Sequence, residues 1–274
     1  MRMPRPTAAL LAAAMLAAPV PALAAGTMLA PHRAVYDLDL DRSSDRSGIT
    51  GISGRMVYEF DGSECDGYTV TFRFVTRIDT DEQSRVTDQQ TTTYEDGKGK
   101  SFDFVTKSFV DQTLDKEVRG RAELDDGTTR VRLEKPAAET LELDATQFPT
   151  QHLTELIEKA QAGETFYETT LFDGSEDANE VMLTTVIIGR EDRTDKADPE
   201  FGAVAKEEPF WPVSIAYFDG PDDDQAGEET PVYHISFKLH ENGVTRDLVM
   251  DYGDFAMTGR LVDLEMLPAP KACE

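Results

Sequence analysis

The sequence predicts a mainly β protein with a single amphipathic helix, and three observations support this fold class. Apolar and polar residues alternate over most of the chain, Asp-Gly and Asn-Gly pairs separate the alternating stretches, and only one segment has helical spacing. Alternation with period two is typical of strands that bury one face. We therefore expect one large antiparallel domain, a barrel or sandwich of about fourteen strands with the helix bracing it.

The first half of the chain contains the stretches predicted to form the earlier strands. Turn signals at Asp61-Gly62, Asp66-Gly67, Asp96-Gly97 and Asp126-Gly127 lie between them. The segment 85–94 is rich in Thr and Gln, so we expect a strand with a weakly apolar face there. The alternating stretches are 36–40, 52–60, 68–74, 85–94, 102–104, 118–124, 131–133 and 141–143.

The segment 150–162 is the predicted helix. Thr150, which follows Pro149, is expected to cap its start, and Gly163 is expected to end it. Such an amphipathic helix of about three turns must lay its apolar stripe on a sheet. The apolar residues at helical spacing are Leu153, Leu156, Ile157 and Ala160.

Six more strands are predicted after the helix. The pair Asn242-Gly243 predicts a two-residue hairpin turn. The charged stretches 190–209 and 220–229 are expected to be irregular, and neither is long enough to mark a domain boundary. The six strands are expected at 165–172, 181–188, 211–218, 233–239, 244–252 and 255–264.

The N-terminus has the three parts of a secretory signal peptide. Arg2 and Arg5 precede the apolar run 8–20, and Ala22-Leu23-Ala24 offers a cleavage pattern. The run is shorter than the ~20 residues that span a bilayer, which favours a cleaved signal over an anchor. We expect residues 1–24 to be a signal peptide cut after Ala24, and residues 25–274 to be one periplasmic domain.

The chain is strongly acidic. Its 27 Lys and Arg against 53 Asp and Glu give a formal charge of −26, or −28 once Arg2 and Arg5 are removed. This charge repels nucleic acid and anionic lipid headgroups. Nucleic acid and direct binding to an anionic membrane are therefore not expected, and the expected partner is a periplasmic protein or an envelope polymer.

Two cysteines, Cys65 and Cys273, remain after cleavage. An even number of cysteines in an exported protein usually pairs. A redox pair is less consistent with this sequence, because there is no C-x-x-C motif. We expect a structural Cys65–Cys273 disulfide that ties the tail to the hairpin at 61–67.

Catalytic and metal-binding motifs are missing from the sequence. There is no H-E-x-x-H and no G-x-S-x-G, and the calcium-like run that starts at Asp37 has Arg42 where a glycine is required. No catalytic residue, metal ligand or cofactor is predicted. The four histidines are expected on the surface or in loops: His32, His152, His234 and His240.

The segment around the single tryptophan is the one unusual constellation. Phe210 and Trp211 lie between Pro209 and Pro212, and Tyr217 and Phe218 follow. One interpretation is core packing at the start of a strand. The other is an aromatic lip on a cleft for a glycan, an acyl chain or a peptide, to which Tyr252 and Phe255 would also contribute.

Several of these segments together resemble the EipB-type cell-envelope integrity proteins of α-proteobacteria. The resemblance rests on the signal peptide, the Cys65 hairpin, the segment 210–218, and the ending from Asp251-Tyr-Gly-Asp-Phe255 to Cys273. It implies a periplasmic single-domain β-spiral wound around one helix. It also implies a Cys65–Cys273 disulfide and a role in keeping the envelope intact under stress, and it carries over no catalytic residue.

Three functional hypotheses remain at this point. The leading one is a non-enzymatic factor that maintains the cell envelope by binding an envelope protein or polymer. The second is a carrier of an apolar ligand or acyl chain, which needs a pocket lined by residues such as Phe72, Phe74, Trp211 and Ile215. The third is an envelope glycan hydrolase, which needs a buried pair of carboxylates facing a cleft.

Overall fold

The computed structural model describes residues 29–193, 209–219 and 230–270. Within these residues fourteen strands form one antiparallel sheet, with one helix, and the mainly β prediction is confirmed. The predicted signal peptide, Cys273 and the acidic stretch 220–229 lie outside the described residues. The elements are β1 (His32–Ser43), β2 (Ile49–Ser63), β3 (Gly67–Thr80), β4 (Ser84–Glu95), β5 (Ser101–Val110), β6 (Thr113–Asp125), β7 (Thr128–Lys135), β8 (Glu139–Asp144), α1 (Pro149–Gln161), β9 (Phe166–Leu171), β10 (Met182–Ile188), β11 (Phe210–Phe218), β12 (Tyr233–His240), β13 (Thr245–Asp251) and β14 (Phe255–Met266).

The sheet is an open meander in which neighbouring strands follow one another along the chain, with one exception. The exception is β1, which pairs with both β2 and β14 and so joins the two halves of the sheet. The end strands are β8 and β9, linked through α1. In the described chain the two ends meet at a bridge between Gln147 and Leu171, where the Phe172 N–H donates to the Gln147 carbonyl at 2.9 Å.

The sheet curls around the helix and a continuous apolar interior. Leu156 and Ile157 of α1 are buried against Phe60 of β2, Tyr167 of β9 and Trp211 of β11. Strands from distant parts of the sheet therefore face one another across α1. At the start of the helix Phe148 stacks on Phe102 of β5, with ring centroids 5.3 Å apart. We call this end of the coiled sheet, which α1 fills, the helix end.

The start of α1 differs from the prediction. Phe148 occupies the N-cap position, Pro149 follows at the first helical position, and Thr150 lies inside the helix. Proline is favoured there because its fixed φ fits a helix and its missing N–H is not needed. The predicted cap at Thr150 is therefore wrong. The predicted end is confirmed, because Gly163 has φ +77° and its N–H donates to the Ala160 carbonyl at 3.0 Å.

The turn between β12 and β13 is longer than predicted. It contains residues 241–244, and the Gly243 N–H donates to the His240 carbonyl at 3.0 Å. A two-residue type I′ turn needs positive φ at both central positions. Gly243 has φ +88°, whereas Asn242 uses its side chain to accept from the Val244 N–H at 3.1 Å. The two-residue prediction is wrong for this reason.

Three of the four histidines are buried, so the prediction of surface or loop positions is wrong for them. His32 opens β1, His152 lies in the first turn of α1, and His240 ends β12. Burial lowers the pKa of His152 and of His240 to about 4, so both are neutral at pH 7. Within the described residues no helix is long and apolar enough to cross a membrane.

Candidate functional site

The aromatic segment around Trp211 is divided between the two faces of β11. Trp211 points inward and is 5 % exposed, packed in the cluster with α1. Phe210 points to the opposite face and is 2 % exposed. The structure therefore does not bring Phe210 and Trp211 together on one exposed surface, and Phe218 lies on the same face as Phe210.

Phe210 belongs to a cluster of charged and aromatic groups on the outer face. The guanidinium of Arg246 lies 4.8 Å from the centre of the Phe210 ring, and its Nε donates to His240 Nε2 at 3.1 Å. Asp247 accepts from Arg246 at 2.9 Å and from Lys238 at 2.7 Å. Asp247 pairs with both cations and the Phe210 ring packs against both, so the cluster is best understood as packing.

Tyr217 leads instead to a row of aromatic rings at the end of the sheet opposite α1. It contacts Tyr233, with ring centroids 5.5 Å apart, and Tyr233 contacts Tyr252 at 4.9 Å. Tyr252 then stacks on Phe255 at 4.9 Å, with their planes 19° apart. Tyr217, Tyr252 and Phe255 therefore belong to one wall, and Tyr217 joins this wall to the cluster that contains Trp211.

A cavity of about 280 Å³ opens beside this wall, and we call it the open-end cavity. Ser108, which lines it, follows Phe102 by six residues along β5 (108 − 102), about 20 Å from the helix end. One side is formed by β13 and β14 and the other by β3, β4 and β5. The lining residues are Phe74, Thr76, Ile78, Thr87, Asp88, Gln89, Ser108, Phe109, Val110, Tyr252, Phe255 and Met257.

The side of the cavity formed by β4 and β5 carries a polar stripe on the inner face of the sheet. Thr76 and Thr87 share a hydrogen bond of 2.6 Å, in which one hydroxyl donates and the other accepts. Gln89 of β4 lies directly opposite Ser108 of β5 in the strand register. Within the described residues no hydrogen bond to protein is formed by either of these two side chains, although both are partly buried.

The one carboxylate in the lining of the open-end cavity is already paired. Asp88 accepts from Arg73 Nε at 3.1 Å and from Nη2 at 2.8 Å, a two-point contact. The hydrogen bonds from Arg73 hold the pKa of Asp88 below its ordinary value. A hydrolase with a pair of carboxylates needs a second one at this cavity, and the described lining contains none.

A carboxyl group with a raised pKa lies at the helix end, on β4. Glu95 is buried, and it accepts from the backbone N–H groups of Thr150 at 2.7 Å and Gln151 at 3.1 Å. Burial raises the pKa of Glu95 to about 7, although these two N–H groups act in the opposite direction. Glu95 thus caps α1 from another strand, which is a structural role.

A serine and a histidine come together on the outer face of β11 and β12, a contact that the sequence analysis missed. Ser214 Oγ lies 2.6 Å from His234 Nε2. Asp251 is the neighbour of His234 on β13, but its carboxylate accepts from Arg42 and from the Gly253 N–H instead. A Ser-His-Asp relay requires the carboxylate to orient the imidazole, so this trio lacks the needed contact.

A second cavity, of about 340 Å³, lies on the outer face of β4, β5 and β6. Its charged groups pair with one another. Arg121 binds Asp103 at 2.8 Å, and Arg119 binds Glu134 at 2.9 Å. Because these pairs already satisfy its charges, the open-end cavity is the better candidate for a binding site.

Cys65 lies in the turn between β2 and β3, and this turn is well anchored. Ser63 Oγ accepts from the Asp66 N–H at 3.2 Å, and the Tyr94 hydroxyl donates to the Asp66 carbonyl at 3.0 Å. The backbone at Gly97 packs so closely on the turn that an added Cβ would lie 1.7 Å from the Glu64 carbonyl oxygen. The pairing with Cys273 lies outside the described residues.

A wide antiparallel sheet coiled around one helix, with an aromatic and polar cavity at its open end, defines a barrel-like protein of the β-spiral type. The chain belongs to the EipB-like family, whose model matches residues 23–268. It is 56% identical over 249 residues to the cell envelope integrity protein EipB of Brucella abortus (strain 2308), covering 90% of this chain and 88% of that protein. It also matches the crystal structure of a β-barrel-like protein of a domain of unknown function, DUF1849, from Brucella abortus. That match has a TM-score of 0.84 at 56% identity and covers 88% of this chain and 100% of the other. The resemblance predicted from the sequence is confirmed.

Proposed function

We propose that this protein is a non-enzymatic periplasmic factor that maintains cell-envelope integrity by binding an envelope protein or polymer at the open-end cavity. The family supports the envelope role, because the relative from Brucella abortus is named a cell envelope integrity protein. The N-terminal sequence supports export, since it has the charged, apolar and cleavage regions of a signal peptide. The proposal includes the Cys65–Cys273 disulfide, which the absence of a free thiol in the described chain supports.

One observation carries the proposal. The open-end cavity combines aromatic rings with two polar side chains, Gln89 and Ser108, that form no hydrogen bond to the described part of the chain. Both side chains are partly exposed, so they are open to a ligand, and an occupant that covers them must supply hydrogen bonds to avoid leaving buried polar groups unpaired. The charged groups at the cavity are paired, which favours binding over acid–base chemistry.

The position of α1 argues against the alternative function of an acyl carrier. Trp211 and Ile215, two of the residues expected to line an acyl pocket, pack tightly in the cluster with α1. Phe72 and Phe74 remain partly buried on the other side of the interior. The volume of the open-end cavity, about 280 Å³, is at the lower limit of small-molecule pockets, which span ~300–1,000 Å³. These features support a compact ligand group rather than a long acyl chain.

The proposal is tested in a strain from which the gene has been deleted. Cells are challenged with detergent and with a β-lactam, and the strain is complemented with wild-type protein, with Gln89→Ala/Tyr252→Ala, or with Phe166→Ala as a matched surface control. Phe166 is exposed on β9, far from the cavity. We expect rescue by the wild type and by the control only. Unchanged resistance in the deletion strain would overturn the envelope role, and full rescue by the double variant would overturn the site.

A further inference from the structure

The polar and apolar halves of the open-end cavity face each other across a small volume. Tyr252 and Phe255 present stacked rings from the β13–β14 hairpin, and Tyr252 is 40 % exposed. Gln89 and Ser108 present an amide and a hydroxyl from β4 and β5. A ligand that fits both sides needs one apolar face and a periphery of hydrogen-bonding groups.

The polar side disfavours a purely apolar occupant. An acyl chain would cover Gln89, Ser108 and Thr87 without offering any hydrogen bond. A buried polar group left without a partner costs about 1–3 kcal/mol. The side-chain hydrogen bond between Thr76 and Thr87 leaves further lone pairs on both oxygens, which an apolar chain would also leave unused.

The charges at the cavity disfavour an ionic occupant. Its described lining contains no Lys or Arg that would hold an anion, and the chain carries a formal charge of −26. A cation would need a free carboxylate, but Asp88 is held by two hydrogen bonds from Arg73. The occupant that these observations favour is neutral.

We infer that the open-end cavity binds a neutral sugar ring of an envelope glycan, with its C–H face on Tyr252 and Phe255 and its hydroxyl or amide groups on Gln89 and Ser108. This inference rests on the proposed function and names the ligand class at the same site. A pyranose ring has the required apolar face and polar rim. The cavity holds about one ring, and its opening at the end of the sheet leaves room for the rest of a polymer outside.

The test uses the mature protein and chitotetraose, a neutral oligosaccharide of N-acetylglucosamine, in isothermal titration calorimetry. We expect saturable binding by the wild type. Tyr252→Ala and Gln89→Ala should each weaken it by about tenfold or more, which corresponds to about 1.4 kcal/mol. Tyr252→Phe should retain it, because the stacking face is kept. Phe166→Ala, which removes an exposed ring elsewhere, should bind like the wild type.

Two further arms distinguish the source of the sugar and the competing occupants. The wild type should sediment with purified peptidoglycan sacculi, whereas the Tyr252→Ala variant should stay in the supernatant. Binding of chitotetraose without binding to sacculi would overturn the assignment to a polymer. Saturable binding of palmitate, with chitotetraose inert, would overturn the sugar assignment. Rescue of the deletion strain by a wild-type protein that binds no saccharide would overturn this inference alone and leave the proposed function standing.

Discussion

The N-terminus of α1 depends on Glu95, a residue that lies far from the helix in sequence. The first N–H groups of a helix have no partner within it, and here two of them donate to the Glu95 carboxyl group at 2.7 Å and 3.1 Å. The helix has no acidic residue in its own first turn. A carboxylate at this position is also favoured by the helix dipole.

Glu95→Gln should lower the free energy of unfolding, and the loss should shrink as the pH rises. The pKa of Glu95 in the fold is about 7, above its ordinary value of 4.5, because burial disfavours the charged form. The folded protein therefore binds more protons between these values, so the contribution of Glu95 to stability is fully present below about pH 4.5 and declines as the pH rises through 7. Glutamine has no such dependence, but its amide offers one acceptor to two N–H groups.

Urea denaturation of both proteins at about pH 5 and pH 8 measures this difference. We expect the variant to be less stable by about 1–3 kcal/mol at the lower pH and by less at the higher pH. Glu168→Gln on the exposed part of β9 is the control and should differ little from the wild type at either pH. A stability difference that grows with pH would contradict the assignment of the raised pKa.

The buried residues show what a sequence pattern can and cannot predict at this scale. Because β12 is regular, its alternation puts His234 on the face opposite Tyr233 and Ile235, where His234 contacts Ser214. The sequence pattern cannot predict that His152 of α1 is buried in the interior, where its Nε2 lies 3.4 Å from the Thr184 hydroxyl. That contact joins residues 32 positions apart, and its existence depends on how the sheet curls.

At the scale of the strands, β3 leaves no room for a side chain on β2 at Gly54. A Cβ built on Gly54 would lie 2.2 Å from the Val75 carbonyl oxygen and 3.0 Å from Thr76 Cα, both backbone atoms. A side chain there cannot be accommodated by a rotamer change alone, because the neighbouring strand would have to move. Gly51 on the same strand differs, since its Cβ would first meet Asp79 Oδ2 at 3.6 Å, an ordinary contact.

Gly54→Ala should therefore destabilise the protein by about 1–3 kcal/mol, the cost of forcing an extra methyl group into a packed site. Gly51→Ala is the matched control and should lie within about 1 kcal/mol of the wild type, because alanine also restricts the unfolded chain. Denaturant midpoints measured at constant slope compare the two. Equal midpoints for both variants would mean that the strands separate at Gly54 without cost.

The elements themselves were predictable because each is specified locally. All the predicted strands are present, and α1 begins within one residue of its predicted start, 149 against 150. The cap of α1 was not predictable, because it comes from β4. The open-end cavity was predictable only in part: Tyr217, Tyr252 and Phe255 were expected to share a wall, but Gln89 and Ser108 carry no motif. Their joint position follows from the register of β4 and β5.

For the molecule as a whole, the two halves of the sheet meet at β1, which pairs with β2 on one side and with β14 on the other. His32 lies level with Phe60 of β2 and with Met266 of β14, so the end of β14 is on the same side as the Cys65 turn. The Leu267 N–H donates to the Pro31 carbonyl at 2.9 Å, which holds the chain beside the start of β1. From Leu267 to Cys273 the chain has six residues (273 − 267), and these can extend about 20 Å. Cys65 lies two strand spacings, about 10 Å, across the sheet and five residues (65 − 60), about 16 Å, beyond Phe60 along the chain, a separation of about 19 Å, so the proposed disulfide is within reach.

Cys273→Ser should lower the thermal midpoint without abolishing the fold, because most of the sheet pairing does not depend on the tail. A disulfide that closes so long a loop stabilises by restricting the unfolded chain, and its loss typically costs about 2–5 kcal/mol. Cys65→Ser should have the same effect, and the double variant should be no worse than either single one, since both remove one bond. Hydrogen exchange should show earlier opening of β14 than of β3. Two titratable thiols in the oxidised wild type, with an unchanged thermal midpoint in the variant, would exclude the disulfide. The pairing of β14 with β1 would then be the contact that holds the two halves of the sheet together.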